Sequence, residues 1–355
     1  MLNIKISFPG HGLDQNISQF VGNDNNVYDN KKFWINSEIK DCDFWFIFED
    51  LNKFDRNVTS VDKKNLIYLS AETSWSDEYY FRKSKIEFLQ QFSQIYVYGL
   101  KFPDNLFKNK VIKDLPFLPW MINANHGDSY LAPNDRDLNF FKNTNIIKKT
   151  KNLSIICSDK RDTEFHKNRY DFVVQLKEHF GDELDWFGNG VNEIASKWDG
   201  ISNYKYHICL ENISRDYLIT EKLYDSFLGL SYPIYYGAPN INKFFRPDSY
   251  SEIDIFDIDK STKIIEEIIS TDPYEKLLPK ILESKNLVCT DYNLFDRISK
   301  IVDTLIEKNP SKETITLKSK GHYEVTTGEV KVNKKRIFYR KIKQNIKNIL
   351  NLYHI

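Results

Sequence analysis

The chain is punctuated by very short, nearly continuous apolar runs: Phe44–Phe48 (FWFIF), Leu66–Leu69 (LIYL), Ile95–Tyr98 (IYVY), Leu153–Cys157 (LSIIC) and Tyr206–Leu210 (YHICL). A strand reads this way when both of its faces are buried, as in a parallel sheet covered by helices. Ile4–Phe8, Leu184–Phe187 and Ile234–Tyr236 read as further strands. Helices are predicted at Asn168–Phe180, Thr220–Leu230, Thr262–Ser270 and Leu294–Glu307, the last with Leu294, Ile298, Ile301 and Leu305 at helical spacing. Asp77–Gln91 is polar and compatible with a helix. Strands alternating with helices predict an α/β fold, and the charged, Asn-rich stretch Asn134–Lys151 divides the alternation into two blocks. A length of 355 residues fits two domains. The expected boundaries are residues 1–150, 151–310, and an extension over 311–355. Two doubly wound domains facing across a cleft would meet ligands at the carboxyl ends of their strands.

Fifty basic residues balance fifty acidic ones, but not evenly along the chain. Residues 331–355 hold eight basic side chains and no acid, so the preceding 330 residues carry a net charge of −8. Phe338, Ile342, Ile346, Ile349, Leu350 and Tyr353 recur at three- and four-residue spacing among those charges. Residues 334–355 therefore predict a basic amphipathic helix, suited to an anionic membrane surface. A partner-binding helix, or one packed on the acidic body, fits the same pattern. The acidic body lacks a basic groove, which argues against nucleic acid. The four cysteines are scattered with no CxxC pair, and the seven histidines form no HxxxH pair, so neither a disulfide framework nor a zinc site is expected. DxD occurs at Asp41–Asp43, Asp135–Asp137 and Asp257–Asp259, as chance gives in an Asp-rich chain. With no leader-like segment and no run of about 18 apolar residues, the expected location is cytoplasmic.

The richest stretch is Tyr204 to Pro247. Its strand, Tyr206–Leu210, delivers Glu211 and Asn212 at the carboxyl end, and after a polar loop Thr220-Glu221-Lys222 opens a helix. A helix start offers unpaired N–H groups and a positive dipole end to phosphate, and Lys222 adds a charge. Glu221 suits hydroxyls such as those of a ribose. From spacing alone, a Thr220 cap followed by a solvated charged pair is the commoner arrangement.

The ordered pattern E-N-(seven residues)-T-E-K, then P-I-Y-Y-G-A-P at Pro233–Pro239 and F-x-P-x-S-Y at Phe245–Tyr250, resembles the α-1,3-fucosyltransferases, glycosyltransferase family 10, bacterial type. Asp185–Gly190 (DWFGNG) is similar to that family's D-x-(aromatic)-G-R-G turn, with Asn189 where Arg is usual. An aromatic usual before Thr-Glu-Lys is replaced by Leu218, with Tyr217 displaced by one residue. The resemblance implies two Rossmann-like domains of glycosyltransferase B (GT-B) type plus the basic helical tail. It implies that Arg169 contacts the donor diphosphate, with Arg161 as its rival. Glu211, Asn212, Thr220, Glu221 and Lys222 would complete donor binding.

In the first half, Leu66–Glu72 (LIYLSAE) resembles the family strand that ends in the acceptor-activating base, here Glu72. Glu49, at the end of FWFIF, holds an equivalent topological place, and His11 in a glycine-flanked loop is an acceptor-side candidate. The implied reaction is inverting transfer of L-fucose from GDP-fucose to a hydroxyl of a glycan acceptor, such as lipopolysaccharide, O-antigen or another surface glycan. It would need no metal and no cofactor beyond the GDP-sugar substrate, and would take place at the inner membrane face. A sister transferase using another nucleotide-activated deoxysugar, a nucleotide-sugar-binding protein without turnover, and a phosphate-binding enzyme are the alternatives. Trp75, Trp120 and Trp198 read by default as core, as do Cys157 and Cys209.

Overall fold

The computed structural model describes residues 1–9, 17–51, 57–71, 82–99, 106–107, 110–123, 136–308 and 310–329. Glu72, His11, Trp75 and residues 334–355 lie outside the described residues. One compact unit, drawn from residues 1–73 and 92–316, holds fourteen strands among the described residues. They are β1 (Leu2–Ser7), β2 (Val27–Tyr28), β3 (Lys31–Ile35), β4 (Phe44–Phe48), β5 (Val58–Asp62), β6 (Leu66–Leu69), β7 (Gln94–Val97) and β8 (Val111–Lys113), then β9 (Lys151–Ile156), β10 (Leu184–Phe187), β11 (Tyr204–Leu210), β12 (Tyr232–Tyr236), β13 (Ser251–Glu252) and β14 (Lys312–Thr316).

The first sheet has the order β2-β3-β1-β4-β6-β7-β8 and is parallel except for β2 against β3. Every residue of β4 and β6 is buried, as their unbroken apolar runs require for central parallel strands. The buried indole of Trp45 donates to Ser7 Oγ at 3.0 Å, so the one polar atom of FWFIF is satisfied inside the sheet. The second sheet, β10-β9-β11-β12-β13, is parallel throughout. The helix Glu164–Phe180 connects β9 to β10, and Glu221–Leu228 connects β11 to β12.

The sequence misses several elements for local reasons. Strand β3 begins with two lysines, and Lys31 is nevertheless buried because Asp29 and Asp303 bind its ammonium at 2.7 and 2.9 Å. The stretch expected to be a linker contains a helix, Leu138–Asn143, whose start Asp137 caps by accepting from Phe140 N at 2.8 Å. Strand β14, within the expected extension, pairs antiparallel with β5. The last long helix of this unit, Leu294–Leu305, packs back on the first sheet: Arg297 donates to the carbonyls of Leu115 and Pro116, and Phe295 meets Phe33 edge-on.

A second unit comprises the described residues of 74–91 and 317–355. Its helices Lys83–Leu89 and Lys320–Thr326 are tied by Ser84, which donates to Glu329, and by Gln91 and Lys318, which exchange two hydrogen bonds of 2.9 Å.

Candidate active site

At the end of β11, Glu211 is 1% exposed and turns inward. Its carboxylate accepts the backbone N–H of Thr220 at 2.8 Å and the Thr220 hydroxyl at 2.8–2.9 Å. Burial pushes its pKa up, against the pull of Lys222 and Thr220. Thr220 in turn caps the helix Glu221–Leu228 through Lys222 N. Glu211 and Thr220 thus act as a clamp that fixes where the next two side chains start.

Those two, Glu221 and Lys222, face a cavity of about 310 Å³ over β11. Lys222 Nζ lies 3.0 Å from Glu221 Oε1 and 3.6 Å from Glu211 Oε2. Burial alone would raise the pKa of Glu221, but Lys222 and Lys197 outweigh it and hold the carboxyl down to about 2. Lys222 is desolvated as well, yet the two glutamates raise its pKa above the ordinary value. Both groups are therefore charged across the physiological range.

Arg169, on the helix Glu164–Phe180, reaches the same cavity. Its guanidinium donates to Asn212 Oδ1, and its buried Nε–H has no hydrogen-bond partner. Arg161 sits instead at the surface, 4.7 Å over the Tyr170 ring. The structure thus brings Arg169, Asn212, Thr220, Glu221 and Lys222 together. Glu49 ends up elsewhere, accepting from Tyr68 Oη, Ser70 Oγ and Ala71 N at 2.7–2.9 Å. That places Glu49 as a brace on the turn leading out of β6.

The turn after β10 closes one wall. Gly188 has φ +151°, and a Cβ there would lie 2.3 Å from the Cys157 carbonyl oxygen. Gly190, at φ +76°, would collide with the Asp159 carboxylate. These glycines let the turn lie against the segment after β9, and they set Asn189 on the cavity wall. In PIYYGAP, Tyr235 Oη accepts from Ala238 N at 2.9 Å, and a Cβ on Gly237 would fall 2.1 Å from that oxygen. Tyr217 points its ring edge at Phe244, 5.6 Å away, while Leu218 is fully buried.

Three further charged groups line the cavity: Lys160, Lys197 and Asp225. Lys197 Nζ lies 3.0 Å from Asp225 Oδ2 and 3.8 Å from Glu221 Oε1. Burial raises the pKa of Asp225 to about 6 against the pull of Lys197. Only Asp225 left a trace in the sequence, as a lone carboxylate in the apolar helix LYDSFL. Four cations, Lys160, Arg169, Lys197 and Lys222, and two carboxylates, Glu221 and Asp225, thus line the cavity, with the Glu211 carboxylate behind Lys222.

Other sequence signals prove structural. The ammonium of Lys312 bridges Asp41 and Asp43 at 2.7 and 2.9 Å, and Asp257 caps a helix through Lys260 N. Trp120 packs between Phe20 and Phe141. Trp198 carries Arg136 4.7 Å above its ring. Cys157 and Cys209 are buried thiols.

Residues 146–276 match the model of the glycosyltransferase family 10 (fucosyltransferase) C-terminal region. The likeness to glycosyltransferase family 10 is thus confined to this C-terminal region. That segment contains the Glu211–Thr220 clamp and most of the cavity. The alpha-(1,3)-fucosyltransferase FucT of Helicobacter pylori is 33% identical over 63 residues, a stretch covering 18% of this chain and 13% of that protein. Among solved structures, an alpha1,3-fucosyltransferase is similar with a TM-score of 0.52 at 17% identity, covering 87% of this chain and 90% of that one. An alpha1,3-fucosyltransferase with GDP-fucose gives 0.50 at 15% identity, covering 87% and 91%. These likenesses show a shared parallel α/β fold of GT-B type. Among the described residues, no helix is long and apolar enough to cross a membrane.

Proposed function

We propose that this chain is an inverting fucosyltransferase that moves L-fucose from GDP-fucose to a hydroxyl of a glycan acceptor. The observation that carries the reading is the convergence of Arg169 and Lys222 on the cavity at the Glu221 helix start, because the diphosphate of a nucleotide-sugar bears two negative charges. In this reading Arg169 binds the diphosphate in two-pronged fashion and Lys222 adds a point charge. Together they stabilise the charge that develops on departing GDP, help worth several kcal/mol in a water-poor site. Glu221, ionised throughout the physiological range, accepts from ribose hydroxyls. Asn212 orients Arg169, and Glu211 with Thr220 keeps the helix start in register.

Glu72 removes the acceptor proton as nucleophilic oxygen attacks the anomeric carbon. In sequence it comes just after Ser70 and Ala71, the two residues beyond β6 that Glu49 holds. Residues 1–150 form the acceptor side, with His11 as a contact, residues 151–310 hold the donor, and 311–355 form the extension. Through 334–355 the chain binds the inner membrane face, where lipid-linked surface glycans such as lipopolysaccharide or O-antigen are assembled. Asn189, in place of the usual Arg on the cavity wall, favours a second reading, a sister transferase with another GDP-deoxysugar.

Thermal-shift screening with GDP-, UDP-, CMP- and dTDP-sugars tests both. Stabilisation led by GDP-fucose supports the first, and another winning sugar supports the second. Glu72→Ala should abolish transfer while GDP affinity stays within about twofold. Retained transfer would remove Glu72 from the mechanism.

A further inference from the structure

Lys197 opens the short helix Lys197–Ile201 after the β10 turn, and its side chain is 19% exposed in the cavity wall. Its ammonium stands between two carboxylates, 3.0 Å from Asp225 Oδ2 and 3.8 Å from Glu221 Oε1. Asp225 is itself fixed: it is 1% exposed, and its other oxygen accepts the Met121 backbone N–H at 2.8 Å. A brace therefore runs from the Met121 backbone through Asp225 and Lys197 to Glu221. Lys222 Nζ approaches the same Glu221 oxygen, Oε1, at 3.0 Å. The nearest approach of both ammonium groups to Glu221 is thus at Oε1.

A carboxylate that selects a diol must hold one rotamer, because two hydroxyls can donate to it together only in a narrow geometry. Lys222 alone cannot fix Glu221, since its flexible stem is shared with Thr220 and Glu211. Lys197 approaches from a different element, backed by a buried counter-ion.

We propose that Lys197, braced by Asp225, is a positioning residue that orients Glu221 toward the ribose hydroxyls of the donor nucleotide. This rests on the reading of Glu221 as the ribose-binding group. The sugar edge of the nucleotide, not its phosphate, is what Lys197 controls.

Calorimetric titration with GDP, 2′,3′-dideoxy-GDP and inorganic pyrophosphate tests it. The wild-type chain should bind GDP more tightly than the dideoxy analogue. In Lys197→Met, GDP affinity should fall about tenfold, while dideoxy-GDP and pyrophosphate change less than about twofold, so the preference for the diol collapses. Lys197→Arg should restore most of it. Asp225→Asn keeps an oxygen for Met121 N–H but releases Lys197, and should shift the diol preference in the same direction. A thermal melt of each variant checks folding. Equal weakening toward GDP and its dideoxy analogue would overturn the proposal, because the lost contact would then lie on phosphate or scaffold. Unchanged diol preference in Lys197→Met would overturn it too. A wild-type chain that binds GDP without preferring the diol removes Glu221 from ribose recognition and this inference with it. A wild-type chain that binds no GDP removes the nucleotide reading itself.

Discussion

Thr220 gives both of its donors, backbone N–H and hydroxyl, to the one buried carboxylate of Glu211, at 2.8–2.9 Å. The pairing spans nine residues and ties the end of β11 to the start of the next helix. Within E-N…T-E-K, the residues split into holders, Glu211 and Thr220, and presenters, Asn212, Glu221 and Lys222. Replacing the clamp should therefore act first on stability. Glu211→Ala leaves the Thr220 donors unpaired inside the protein, withdraws a charge from Lys222 and opens a void. Such losses at buried charged partners cost about 3 kcal/mol. Urea unfolding should show that loss in the absence of any nucleotide. A variant as stable as wild type but unable to bind GDP would make Glu211 a ligand contact instead.

The glycine of the DWFGNG turn makes a sharper test of local geometry. Gly188→Ala combines a positive φ with a Cβ 2.3 Å from the Cys157 carbonyl oxygen, so strand ends β9 and β10 must separate. A destabilisation of about 3 kcal/mol or more is expected, together with weaker GDP binding, because Cys157 and Asn189 line the cavity. A melt within one or two degrees of wild type would mean the turn has slack.

The central strands were legible because burial on both faces writes itself into sequence as an unbroken apolar run; FWFIF and LIYL match β4 and β6 to the residue. Helix Tyr274–Cys289 was hidden by Pro279 in its interior, and β3 by its paired lysines. At the candidate site, the ordered motif pointed to Asn212 and the Thr220–Lys222 group and the family resemblance to Arg169, which the fold brings together. Lys197 could not be found that way. Its role arises from Asp225 and Glu221, carried by another element and met only when the sheet is assembled. Glu211 shows the converse: the motif places it at the donor site, while hydrogen bonding makes it the clamp beneath.

The charges around the cavity also predict its response to metal. Lys160, Arg169, Lys197 and Lys222 already present cations. In the two DxD pairs whose residues are both described, Asp41 and Asp43 hold Lys312, and Asp257 accepts from Lys260 N. Chelation with EDTA should leave GDP affinity within about twofold. Raised salt should weaken it more than chelation does, since the contacts are charge-assisted. A tenfold loss on chelation that magnesium or manganese restores would show that a divalent ion completes the site.

His207 sits inside β11 with its Nδ1 2.8 Å from Ser154 Oγ. Burial first, then Lys197 and Lys149, hold its pKa down to about 3, so the native imidazole is neutral where an unfolded one, near 6.5, takes up a proton. Between those values the unfolded chain binds the extra proton. The stability contributed by the neutral ring is therefore complete above pH 6.5 and declines as pH falls toward 3. At pH 5, about 1.5 units below the unfolded value, the decline from this residue is about 2 kcal/mol. His207→Asn keeps a polar partner for Ser154 but cannot be protonated. It should be less stable than wild type at pH 7, and should lose about 2 kcal/mol less between pH 7 and pH 5. Urea unfolding of both proteins at the two pH values reads the difference directly. Parallel losses would show that His207 is protonated in the native state and that another group sets the acid response.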